Sequence, residues 1–154
     1  MAHQDVTTMT GPCPARTGRP TALLATTTWT AASGAIVVSV SGEVDMSTAA
    51  VLRERVVVQL PITSHLVVDL SEVSLLCAAG LTVLLEVREA AHSTATNLCV
   101  VARTRQVRLP LLRTGLSGVL DLHLDVGEAL FCLSAARSAS PAGPGLPRQA
   151  GDLR

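Results

Sequence analysis

The sequence predicts an α/β fold: a mixed, mostly parallel sheet of about five strands with about four helices, in the order β-β-α-β-α-β-α-β-α. Three observations carry this. Short β-branched runs alternate with segments of helical spacing from residue 64 onward, which calls for parallel strands joined by right-handed crossovers. The first two runs are joined by a short turn-forming link, which adds an antiparallel hairpin. Apolar residues make up 48 % of the chain, enough for a core, and the two aromatics, Trp29 and Phe131, leave that core to Leu, Val, Ile and Ala.

The hairpin is ALLATTTWT (22–30) and AIVVSVSG (35–42), turning at Ala31-Ala32-Ser33-Gly34. The first helix follows Gly42: Ala49, Leu52, Val56 and Leu60 recur at helical spacing, Asp45 or Ser47 caps the first turn, and Pro61 stops it. SHLVVDL (64–70) has the length of a buried strand. Gly80 to Thr94 is the second helix, with Val83, Leu84, Val87, Ala90 and Ala91 on its apolar face and Thr82, Glu86, Glu89 and Ser93 as a polar stripe. NLCVVA (97–102) is the next strand, Arg105 to Thr114 a weaker helix, VLDLHL (119–124) the last strand and GEALFCLSAA the last helix. Pro110 is expected to kink the third helix or delay its start. The domain spans 21–136, between a Thr/Pro/Gly-rich tail (1–20) and a Pro/Gly/Ser-rich tail (137–154), both expected to be mobile.

Composition removes several function classes. Lys plus Arg and Asp plus Glu each number 12, so no electrostatic footprint for nucleic acid or an anionic membrane exists. Arg103, Arg105, Arg108 and Arg113 make a local basic patch, read as a solvated face. No stretch approaches the roughly 20 uninterrupted apolar residues of a membrane helix, and residues 1–20 lack the apolar segment of a signal peptide. Cys13, Cys77, Cys99 and Cys132 form no CxxC pair, which fits reduced thiols in a cytoplasm. His3, His65, His92 and His123 show no metal-ligand spacing, so no metal is expected. Without GxxxxGK[ST] or GxGxxG, no nucleotide cofactor is expected.

Residues 71–83, SEVSLLCAAGLTV, place a turn between a strand and a helix, a position suited to chemistry, with no hydroxyl, carboxylate or imidazole at 77–80. Cys77 at a helix start invites a nucleophile reading, since the helix dipole lowers a thiol pKa. The competing reading, a small buried hydrophobe, is favoured because free cysteine is among the most buried residue types.

GEVDMSTAAVLRERV, HLVVDLSEVSLLCAAGLTVLLEVREAA and TRQVRLPLLRTGLSGVLDLHLDVGEAL, in that order, resemble a STAS domain of the bacterial anti-sigma factor antagonist type across residues 22–133. The resemblance implies a non-enzymatic partner switch. The antagonist binds an anti-sigma factor, often a serine kinase with a histidine-kinase-like ATPase domain, and so frees a sigma factor. Phosphorylation of the first hydroxyl residue after an Asp in the turn reverses binding. Here Cys77 stands in the Asp position and Ala78 in the phosphoacceptor position, followed by Ala79 and the matching Gly80.

The resemblance selects a docking region of Asp45, Ser47, Thr48, Cys77, Ala78, Ala79 and Gly80, and helical spacing adds Leu81, Leu85 and His92. The competing reading makes Asp45 and Ser47 simple caps and Leu81 and Leu85 core. Thr82 is the alternative phosphoacceptor. The expectation is a monomer or weak dimer that kinase activity at position 78 cannot switch off. The alternatives are a non-phosphorylatable STAS scaffold or ligand-sensing subunit of a larger assembly, and a thiol-dependent function at Cys77.

Overall fold

The computed structural model describes residues 8–10 and 24–139, so most of both expected tails lies outside the described residues. Six strands form one sheet in sequential order: β1 Thr8–Thr10, β2 Leu24–Thr30, β3 Ile36–Val44, β4 His65–Leu76, β5 Asn97–Val101 and β6 Leu122–His123. β2 and β3 pair antiparallel as expected, and β3, β4, β5 and β6 pair parallel. The short β1, from the segment read as a tail, adds a parallel edge strand to the five expected.

Parallel neighbours need crossovers, and these are α1 Ala49–Val57, α2 Ala78–Ser93 and α3 Arg105–Arg113, with α4 Val126–Ala139 after β6. Strands in sequential order with crossovers of one hand place those three helices on one face. The buried residues agree: Val38, Val68 and Val100 of the sheet pack with Leu52 of α1, Leu84 of α2 and Leu111 of α3. The opposite pleat, with Val37, Val67, Cys99 and Val101, packs against Ala129 and Leu133 of α4. Helical spacing predicted α1 well: Ala49, Leu52 and Val56 are its buried residues, and Leu60 is buried just beyond.

Several boundaries move. β4 runs six residues past Leu70, because its ladder with β3 continues through Ser41↔Glu72 and Val44↔Leu76 across two register shifts. The second shift follows Gly42, whose φ of 102° suits glycine. α2 begins at Ala78 rather than Gly80. α3 begins at Arg105 and carries Pro110 inside, so there is no late start. Pro61 lies in a 3-10 turn, Leu60–Ile62, after α1 has ended at Val57. β6 keeps only Leu122 and His123 of the expected six residues, since a 3-10 turn occupies Leu116–Gly118 just upstream.

Asp69 is buried in β4 and is satisfied locally: its Oδ1 accepts from the Ser71 N–H at 3.0 Å and from the Ser71 hydroxyl at 2.5 Å. A buried carboxylate is tolerated only with such partners.

Candidate functional site

The parallel β3–β4 ladder brings two loops together at its C-terminal end, where the Cys77 N–H donates to Val44 O at 3.0 Å. One loop enters α1. Asp45 Oδ1 accepts from the Ser47 N–H at 2.8 Å, the Ser47 hydroxyl at 2.6 Å and the Thr48 N–H at 3.1 Å. In return the Asp45 N–H donates to Thr48 Oγ1 at 2.9 Å, and that hydroxyl donates to Glu43 O at 2.8 Å. Asp45 therefore caps the turn before α1. Thr48 occupies the N-cap position without a side-chain cap bond, and Ser47 serves Asp45 rather than the helix.

The hydrogen bonds from the side chain and backbone of Ser47, against an opposing effect of burial and with lesser help from Thr48, hold the Asp45 carboxyl below its ordinary value of 3.8. A depressed acid stabilises the fold above its unfolded value, and the contribution drains away as pH falls through the lower folded value. Melting curves should therefore show wild type losing more stability than Asp45→Asn as pH falls through and below the ordinary carboxylate value of 3.8. Equal losses would show that the loop carries no pH-linked stability.

The other loop enters α2. Cys77 is its N-cap, with φ −90° and ψ 177°, and makes no side-chain cap bond. Its backbone is already in the extended conformation an N-cap needs, so the defect lies in the side chain. Cys77→Asp should raise stability by about 0.5–2 kcal/mol in urea titrations. An unchanged midpoint would mean that solvent already satisfies these N–H groups.

Gly80 explains how α2 sits so close to the sheet. A Cβ there would lie 2.6 Å from Leu76 Cδ1 and 2.7 Å from Val44 Cγ1. This is a glycine required by close approach, in a helix interior where glycine is otherwise unfavourable.

The expected docking residues divide. Ser47, Ala78 and Leu85 reach the surface, and Asp45, Cys77 and Ala79 are half-buried. Leu81, expected on the docking flank, is only 9 % exposed and belongs to the core beside Val83 and Leu84. Thr48 and Gly80 are likewise buried. His92 is exposed but about four turns along α2 from Ala78, about 21 Å at 1.5 Å per residue, and does not join the turn. Thr82 is exposed, and its hydroxyl donates to Ala78 O at 3.1 Å. Glu86 of the polar stripe ties the helices together through Arg53 Nε at 2.7 Å.

Two neighbours of the turn went unnoticed in the sequence: Met46, 88 % exposed, and Leu75, 45 % exposed. The signal for Leu75 was its adjacency to Leu76, since consecutive strand residues point to opposite faces and one of them must leave the core. Beside Leu75 lies a groove of about 360 Å³ lined by Ser74, Leu76, Arg105, Gln106, Leu109 and Pro110. Arg105 of the basic patch thus borders the apolar surface.

A helix start presented at the end of a parallel sheet, with exposed Met46 and Leu75 close to it in sequence, marks a small α/β domain. The STAS domain family matches residues 28–129, and the chain belongs to that family, within which anti-sigma factor antagonists are non-enzymatic regulators. It is 34 % identical to an anti-sigma factor antagonist from Mycobacterium paratuberculosis, covering 72 % of this chain and 94 % of that one with a TM-score of 0.67. The antagonist SpoIIAA in its unphosphorylated form shares the fold at 14 % identity and TM-score 0.61, covering 72 % of this chain and 97 % of its own. The Bacillus cell fate determinant SpoIIAA in its phosphorylated form does so at 14 % identity and TM-score 0.55, covering 71 % and 99 %. No curated protein sequence matches the chain. Among the described residues, no helix is long and apolar enough to cross a membrane.

Proposed function

We propose that this chain is a cytoplasmic anti-sigma factor antagonist that docks a serine-kinase-type anti-sigma factor and cannot be released by phosphorylation of its turn. The observation that carries the reading is Ala78. It is the first residue of α2, exposed, and stands where the family resemblance puts the phosphoacceptor. A methyl group accepts no phosphoryl group, so the surface of Ala78, Met46, Leu75 and Leu85 stays apolar and uncharged there. Such a surface favours binding by burial and suffers no charge-driven release. Asp45 and Ser47 at its edge supply polar contacts that orient the partner.

Thr82 is a poor substitute acceptor. Its hydroxyl is engaged with the Ala78 carbonyl one turn back along the helix rather than standing free at the helix start. The test is titration of the purified chain into the host's candidate anti-sigma kinases. A complex with at least one of them supports the reading, and absence of a complex with all of them removes it.

A further inference from the structure

A second constellation lies on the opposite pleat, away from the docking turn. Asp121 and His123 are two residues apart around β6, so they share a face, and the parallel pairing Val100↔Leu122 sets Cys99 of β5 beside Asp121. The Cys99 thiol donates to Asp121 Oδ2 at 3.2 Å, and His123 Nε2 lies 3.1 Å from Asp121 Oδ1. One ligand atom from each of the three residues fits within a 4.8 Å group.

His123 is the informative member. Its side chain is 7 % exposed, yet neither ring nitrogen has a hydrogen bond of acceptable geometry. Buried polar groups ordinarily find partners, so an imidazole aimed at a thiol and a carboxylate with both nitrogens unsatisfied has room for one more. Its Nδ1 is 4.0 Å from Glu128 Oε1 at the start of α4, while Glu128 Oε2 accepts from the Leu124 N–H at 2.9 Å.

We propose that Cys99, Asp121 and His123 form a Zn²⁺ site. The donor set of one sulfur, one imidazole and one carboxylate suits a borderline-soft tetrahedral ion. Ligand bonds of about 2.0–2.3 Å place tetrahedral donors roughly 3.3–3.7 Å apart; one atom from each residue already lies within 4.8 Å of the others, and because the 3.1 and 3.2 Å contacts run to different oxygens of Asp121, its exposed carboxylate turns to offer one oxygen to the ion. On binding, Zn²⁺ replaces the thiol proton of Cys99, which leaves to solvent, and takes the lone pair of His123 Nε2 and one oxygen of Asp121. Glu128 then faces Nδ1–H and fixes the tautomer, as carboxylates commonly do behind a ligating histidine. Asp121 is 61 % exposed, which opens the site to entering metal and leaves a fourth position for water. The site clasps the two-residue β6 to β5, reinforcing the shortest strand at the open edge of the sheet.

The test uses the full chain, stripped with chelator and kept reduced, titrated with Co²⁺ and then Zn²⁺. The proposal predicts one equivalent of Co²⁺ with a thiolate-to-cobalt charge-transfer band, displacement by Zn²⁺, and a higher melting temperature in Zn²⁺. Asp121→Asn and His123→Gln should each remove the band. Glu128→Gln should weaken binding by about 10–100-fold, and Cys77→Ser should leave the charge-transfer band and its stoichiometry unchanged. Asp121 is exposed, so its variant folds even if the histidine variant does not. No charge-transfer band in the wild type, or a band that survives Asp121→Asn at full strength, overturns the proposal.

Discussion

Ala78→Asp is expected to abolish partner binding while leaving the fold as stable as wild type or more so. Position 78 is the first of α2, where a carboxylate interacts favourably with the helix dipole by about 0.3–1 kcal/mol. In the proposed complex the same carboxylate is buried against a partner surface that covers an uncharged turn. An uncompensated buried charge costs about 3 kcal/mol or more, over a hundredfold in Kd. Paired calorimetric binding and thermal melts separate the two effects. Unchanged Kd in Ala78→Asp would place the turn outside the interface. Lost binding with a lowered melting temperature would point to misfolding instead.

Gly80→Ala is the second large effect, and its sign is diagnostic. In an exposed helix interior this change stabilises by about 1 kcal/mol. Here the new Cβ meets side-chain atoms of Leu76 and Val44 at 2.6 and 2.7 Å, so these side chains or the first turn of α2 must shift. Overpacking of this kind costs about 1–3 kcal/mol, read as a lower urea midpoint. Since Val44 and Leu76 end the two strands that carry both docking loops, the variant should also bind its partner more weakly. A stabilised Gly80→Ala would show that α2 has slack against the sheet.

Element order and helix faces were legible because apolar periodicity is a local signal: Ala49, Leu52 and Val56 of α1 and Val83, Leu84 and Val87 of α2 are all buried. The end of β4 was hidden because Ser71, Glu72 and Ser74 look like a loop. Only the ladder with β3, a long-range fact, carries the strand through them. Leu81 was misplaced because Gly80 draws the first turn of α2 inward, so a residue at a helix start faces the core. His92 lies exposed on the helical flank where spacing puts it, well along α2 from the turn. The Cys99, Asp121 and His123 cluster could not be seen in linear spacing at all, since parallel pairing across a helical crossover assembles it. Its single local trace is the Asp-x-His alternation of residues 121–123.

The most direct test compares complexes of an anti-sigma kinase with wild type and with Ala78→Ser, before and after addition of ATP and Mg²⁺. Wild type is expected to stay bound throughout, whereas Ala78→Ser binds, gains one phosphoryl group of about −1.5 to −2 charge and is released. Release of wild type by ATP, or a phosphorylated Thr82 in the wild-type chain, would contradict this expectation.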